Sequence, residues 1–128
     1  MKKAIFSLKP AWAEKILSGE KKVEFRKSVC TESVDRILLY ETSPVRKITG
    51  EVCVDVIISG TPEEVWEKLG EKAAMTKREY DRYYLKKERA VAYCLSHPVR
   101  YERGRELEEY GIASAPRSFV YVECGDGE

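Results

Sequence analysis

Histidine occurs once in 128 residues, and the four cysteines form no CxxC pair. No apolar run approaches the roughly 18 to 20 residues that a membrane-spanning helix needs. Each shortage removes a class of function. Cys30, Cys53, Cys94 and Cys124 are scattered, with only His97 for company, which is not the spacing of a structural metal site. Cys53, Cys94 and Cys124 fall in strand-like runs and are expected to be small buried residues of a reducing compartment. A Ser-His-Asp or Cys-His site would have to use His97, which precedes Pro98 at a strand end and is expected to be structural or superficial. Net charge is also scarce: 23 basic against 22 acidic side chains leave +1, too little for a surface that coats a polyanion. Met1-Lys2-Lys3 leads into a strand-like segment with no signal-peptide apolar run, so a cytoplasmic protein is expected, with no cofactor, no metal and no membrane contact.

What is present is enough for one domain over residues 1–128, with 43% apolar side chains to build a core. The charge is uneven along the chain. Residues 1–47 hold 11 Lys/Arg against 6 Asp/Glu, and residues 48–128 hold 12 against 16, so the two parts carry +5 and −4. That asymmetry points to a local cationic face on a neutral protein.

Periodicity outlines the elements. Ala4 to Leu8 reads as a strand, and Pro10 opens a helix whose Trp12/Ile16 and Ala13/Leu17 pairs share a face before Gly19 closes it. Lys22 to Lys27 alternates as a half-buried strand, Val34 to Tyr40 reads as a second strand, and a long run from Ile48 to Ile58 carries a bend at Gly50. Thr61-Pro62-Glu63-Glu64 and Thr76-Lys77-Arg78-Glu79 fit the capping-box pattern and start two helices. Their buried faces are expected to hold Val65, Trp66 and Leu69, then Tyr80, Tyr83 and Tyr84, with Trp12 and Trp66 as core anchors. Ala90 to Tyr101 reads as a strand broken at Pro98, Arg103 to Tyr110 as a charged helical segment, and Phe119 to Cys124 as the last strand. Five or six strands with an early helix and an inserted helical pair predict an α+β, mainly β fold, a small curled sheet or barrel.

Chemistry concentrates near the start. A helix beginning at Pro10 puts Lys9 at the N-cap, where lysine is a poor cap. Its charge faces the positive end of the helix dipole, an arrangement that an anion at the site would relieve; an exposed loop lysine is the alternative. Around Gly19 to Lys27 lie Lys21, Lys22, Arg26 and Lys27 with Glu20 and Glu24. Glu24 and Arg26 share a face, where the Arg fork suits a phosphate and Glu24 can orient that fork or accept from an exocyclic amine. Solvated charges on an outer strand are the alternative reading.

Leu8-Lys9-Pro10 followed by Ala13-Glu14-Lys15-Ile16-Leu17-Ser18-Gly19-Glu20-Lys21-Lys22-Val23-Glu24-Phe25-Arg26 resembles the opening signature of the ASCH domain family. Tyr40-Glu41-Thr42-Ser43-Pro44 through Gly50-Glu51 is similar to the family's second signature, and Ala115-Pro116-Arg117-Ser118-Phe119 to its late segment. The resemblance implies a PUA-like small β-barrel with a cleft for RNA or a nucleotide-like ligand, lined by Lys9, Lys21, Glu24 and Arg26, with Arg117 and Ser118 nearby. Arg117 stands where the family commonly has Gln. In an amidohydrolase branch a Thr occupies the place of Glu24, so the hydroxyl nucleophile of acyl transfer is missing here. If the chain is an enzyme, Lys21 and Glu24 are the candidate catalytic pair for a modified nucleoside or an RNA phosphodiester. Binding with a regulatory role, without catalysis, is the expectation preferred. A protein-interaction module using Arg100 to Tyr110 is the third reading.

Overall fold

The computed structural model describes residues 2–27, 29 and 34–123. Nine regular elements follow one another: β1 (Lys2–Leu8), α1 (Pro10–Leu17), β2 (Val23–Arg26), β3 (Arg36–Glu41), β4 (Lys47–Gly60), α2 (Pro62–Leu69), α3 (Lys77–Tyr83), β5 (Ala90–Arg105) and β6 (Phe119–Glu123). Short 3₁₀ turns occupy Gly70–Lys72 and Leu107–Tyr110. The strands form one mixed sheet in the order β2-β5-β4-β3-β1-β6, with β1 parallel to β3 and the other pairings antiparallel. The sheet curls into a half-barrel with helices, the α+β, mainly β architecture expected from the periodicity.

Curling comes from the two long strands. Register shifts interrupt the β4–β5 ladder between Ile48 and Gly50, between Glu51 and Cys53, and between Val54 and Val56. Irregularities of this kind bend a strand and tighten its twist. Gly50 sits at one of them, where a Cβ would collide with the Val99 carbonyl and the Leu17 side chain. The bend at Gly50 therefore serves to bring β5 and α1 close to β4.

Inside the curl, Phe6, Leu8, Ala13, Ile16, Leu39, Val52 and Tyr93 pack α1 against the sheet. A second cluster, with Phe25, Val65, Leu69, Tyr80 and Tyr84, seats the helical pair against β2 and β5. Both capping boxes are formed: Thr61 and Thr76 accept from the backbone N–H groups of Glu64 and Glu79, and each Glu returns the bond to the cap N–H. Such a cap stabilises by about 1 kcal/mol.

Several expectations need correction. β2 is buried on both faces: Glu24 and Arg26, on the side expected to be solvated, are each 8% exposed. β5 is one strand from Ala90 to Arg105, and its pairing with β4 is interrupted at His97 and Pro98, the expected break; Pro98 is exposed there, and His97 takes a left-handed φ of 53° just before it. Arg103 to Arg105 belong to β5, so only Leu107–Tyr110 of the charged segment is helical. Cys53 and Cys94 are half-buried, whereas Cys30 and Cys124 lie outside the described residues. Among the described residues, no helix is long and apolar enough to cross a membrane.

Candidate nucleotide site at the barrel seam

β2 and β6 are the two edges of the sheet, and Arg26 ties them together. Its Nε donates to Glu24 Oε2 at 3.0 Å, one terminal nitrogen to the Ser7 carbonyl at 2.9 Å, and the other to Ser118 Oγ at 3.3 Å. The guanidinium also stacks 4.6 Å from the Phe6 ring centroid. Arg26 is 8% exposed, so it is a strut whose donor directions are largely spent on protein. Ser7 completes the closure, its N–H donating to the Ser118 carbonyl and its hydroxyl to the Pro116 carbonyl.

Over this seam opens a cavity of about 370 Å³. Four of the residues singled out in the sequence, Lys9, Lys21, Glu24 and Arg26, line it. Ser118 stands behind Arg26 and Arg117 is exposed; neither belongs to the cavity wall. Lys9 is the N-cap of α1, with no side-chain cap and an exposed ammonium, as its place before Pro10 predicts.

Lys21 is the most unusual group. It is 4% exposed, donates through Nζ to the Ala73 carbonyl at 2.7 Å, and lies 5.1 Å from the Trp12 ring centroid. Burial pushes its pKa down, against the opposing pull of Glu24. Glu24 is 8% exposed; one carboxylate oxygen takes the Arg26 bond.

Sequence reasoning missed the aromatic part of the wall. Trp12, Phe25, Met75 and Tyr83 line the same cavity. Trp12 is half-buried with Lys15 and Lys21 over its ring, and Tyr83 is half-buried with Lys27 over its ring. Both were expected to be core residues. Only Tyr80 and Tyr84 of the helical trio are fully packed, and Tyr84 donates its hydroxyl to the Arg26 carbonyl, holding β2 in place. The available signal was Trp12-x-x-Lys15, which puts a cation against an indole one helical turn away.

Among the described residues, no group of three His, Cys, Asp or Glu side chains is placed to hold a metal ion. Chemically the cavity combines two ammonium groups, a carboxylate and two half-exposed aromatic rings.

Residues 6–99 match the ASCH domain family. The chain belongs to that family. This ASCH domain is 33% identical over 102 residues to an ASCH domain-containing ribonuclease of Zymomonas mobilis, covering 77% of this chain and 69% of that protein. It is also 33% identical over 104 residues to the large ribosomal subunit protein uL22 of Ureaplasma parvum serovar 3, covering 81% of this chain. The chain spans only about a third, 33%, of that ribosomal protein's length. Among solved structures, the crystal structure of ASCH from Zymomonas mobilis superposes with a TM-score of 0.86 at 28% identity, covering 94% of this chain and 87% of that one.

Proposed function

We propose that this ASCH domain binds single-stranded RNA, or a nucleotide-like ligand, at the seam cavity and serves a regulatory role. The observation that carries the proposal is the pairing of Lys9 and Lys21 with the half-exposed rings of Trp12 and Tyr83 around one opening. Ammonium groups attract phosphate, and aromatic faces stack on any base, which together suit an unpaired nucleotide. Glu24 faces the same space and can accept from an exocyclic amine. Arg26 acts in this reading as a positioning residue that keeps Glu24 and the Ser118 segment in register.

The test is titration of the purified chain with short single-stranded RNA at several salt concentrations. Salt-dependent binding that weakens at least about tenfold in Lys21→Met supports the proposal. Absence of salt-dependent binding by the wild type overturns it.

One observation favours a second reading. Lys21 holds its proton less firmly than an ordinary lysine and sits in the field of Glu24, and a relative carries the name ribonuclease. In that reading neutral Lys21 takes the proton of a ribose 2′-hydroxyl, whose oxygen attacks the adjacent phosphorus; Lys9 stabilises the phosphorane charge, the P–O5′ bond breaks, and the 5′-oxygen leaves with the proton returned by Lys21, giving a 2′,3′-cyclic phosphate and a 5′-hydroxyl. Turnover of RNA that vanishes in Glu24→Gln and Lys21→Met supports it, and intact RNA after prolonged incubation with wild type rejects it.

A further inference from the structure

A second cavity, of about 360 Å³, shares Lys21 with the seam cavity. Its floor is apolar, made by Ile16 of α1, Val52 of β4 and Leu95 of β5. Its rim is polar and carries Lys22, Ser96 and His97, with Gly19 and Pro98 completing the opening. Lys21 belongs to the lining of both cavities, so the two are neighbours.

The rim is held in place. Ser96 donates its hydroxyl to Asp55 at 2.6 Å, and Nδ1 of His97 lies 3.0 Å from the same hydroxyl oxygen, which leaves Nε2 of the ring turned away from that contact. The backbone of Lys22 is fixed from both sides, its N–H donating to the Lys72 carbonyl and its carbonyl accepting from the Leu95 N–H. Lys22 and His97 are exposed, and no hydrogen bond or ion pair from the Lys22 ammonium is seen among the described residues.

We infer that this cavity is a second nucleotide subsite, taking the residue next to the one in the seam, so that the preferred ligand is a single strand of at least two or three nucleotides and not a free nucleoside. The inference rests on the seam cavity being the primary nucleotide site. Adjacency and charge argue for it. The shared Lys21 makes the two cavities neighbours, as successive nucleotides of one strand require. An apolar floor accepts a base without reading it, while Lys22 and His97 are exposed at the rim where a phosphate would pass. Asp55 is the opposing charge near the rim, and its carboxylate is engaged by Ser96.

Isothermal titration of the full chain with nucleoside monophosphates and with mixed-sequence RNA of two, three and six nucleotides tests the idea. Affinity should rise at least about tenfold between the monophosphates and the trinucleotide, then level off. A Lys22→Ala/His97→Ala double variant should lose at least about fivefold for the trinucleotide and keep its monophosphate affinity within about twofold, with an unchanged thermal midpoint. Equal trinucleotide affinity in variant and wild type overturns the second subsite while leaving the seam reading intact. Loss of monophosphate and trinucleotide affinity in equal measure also overturns it. Failure of the wild type to bind any of these ligands removes the primary site and the second with it.

Discussion

Two clusters of charge, one buried and one half-buried, sit on opposite sides of this small sheet, and they differ in what their donors do. At the seam, Glu24 and Arg26 form a pair with both side chains 10% exposed, beside Lys21. Across the sheet, Glu51 receives Arg36 at 2.6 Å and the Tyr101 hydroxyl at 2.7 Å, with Lys3 at 3.9 Å. The second cluster is spent on itself: one carboxylate is surrounded by three donors that converge on it. The first leaves a carboxylate and two ammonium groups facing an open cavity with aromatic walls. Buried charge by itself thus marks structure, and buried charge beside an opening marks a candidate site.

The largest expected effect comes from cutting the strut. Arg26→Ala should cost about 3 kcal/mol in urea denaturation, because Glu24 is left buried without its partner. Arg36→Ala should cost no more than about 1 kcal/mol, since its side chain is one-third exposed and Glu51 keeps Tyr101 and Lys3. Equal losses for the two variants would erase the distinction between seam and network. A solvated charge on an outer strand, the alternative reading of Arg26 in the sequence, could be removed with little loss of stability. Burial of β2 on both faces overturns that expectation.

Lys21→Met sharpens the contrast in the other direction. The substitution keeps an unbranched apolar chain beside Trp12 and Phe25, over whose rings the Lys21 ammonium lies, and removes a charge that burial disfavours. RNA affinity should fall at least about tenfold, about 1.4 kcal/mol, while stability at neutral pH stays equal or rises. The pH dependence has a definite sign. With the folded-state pKa below the ordinary 10.5, the unfolded chain binds more protons between the two values, so wild-type stability recovers as pH rises toward 10.5. The advantage of Lys21→Met in thermal unfolding should therefore shrink over that alkaline range. A gap that widens with pH would contradict the burial argument.

How far the sequence foretold this arrangement depended on the physical signal each residue carried. Lys9, Glu24 and Arg26 stood out because charges at a helix start or in a short strand violate local preference, whereas Lys21 was assigned to the cleft through the family resemblance. Thr61 and Thr76 were legible because a capping box is a local bond between residues three apart. Trp12 and Tyr83 were not, since helical spacing reports which residues share a face but not whether that face meets a core or a cavity. Pro98 marked a break in pairing, because a proline excludes a regular central ladder position, but not that the strand continues past it, since its continuation depends on β4 pairing far along the chain.

The caps divide along the same line as the clusters. Thr61→Ala and Thr76→Ala should each cost about 1 kcal/mol. Only Thr76 adjoins the turn whose Ala73 and Ala74 carbonyls hold Lys21 and Lys15 and whose Met75 lines the cavity. Thr76→Ala should therefore weaken RNA binding as well, and Thr61→Ala should not. Hydrogen bonds from the cap backbone N–H groups hold Glu64 and Glu79 below the ordinary carboxylate value of 4.5. Their stabilising contribution is complete above pH 4.5 and is lost as pH falls through the lowered folded-state values. Thermal scans from pH 6 to pH 3 should show Glu64→Gln and Glu79→Gln variants, which lack the titrating carboxylates, losing less stability than wild type on acidification.

Lys9→Ala is expected to have the smallest effect and isolates attraction from architecture. The ammonium is exposed, caps nothing and opposes the positive end of the α1 dipole. Its removal should leave stability unchanged or raise it by about 0.3 kcal/mol. If the seam draws in a phosphate, the same variant should weaken RNA binding by about 1 kcal/mol and flatten the dependence of log Kd on log salt by about one charge. An unchanged salt slope would place Lys9 among the solvated charges that the far side of the protein carries in number, and would leave Lys21 to supply the cationic attraction at the cavity.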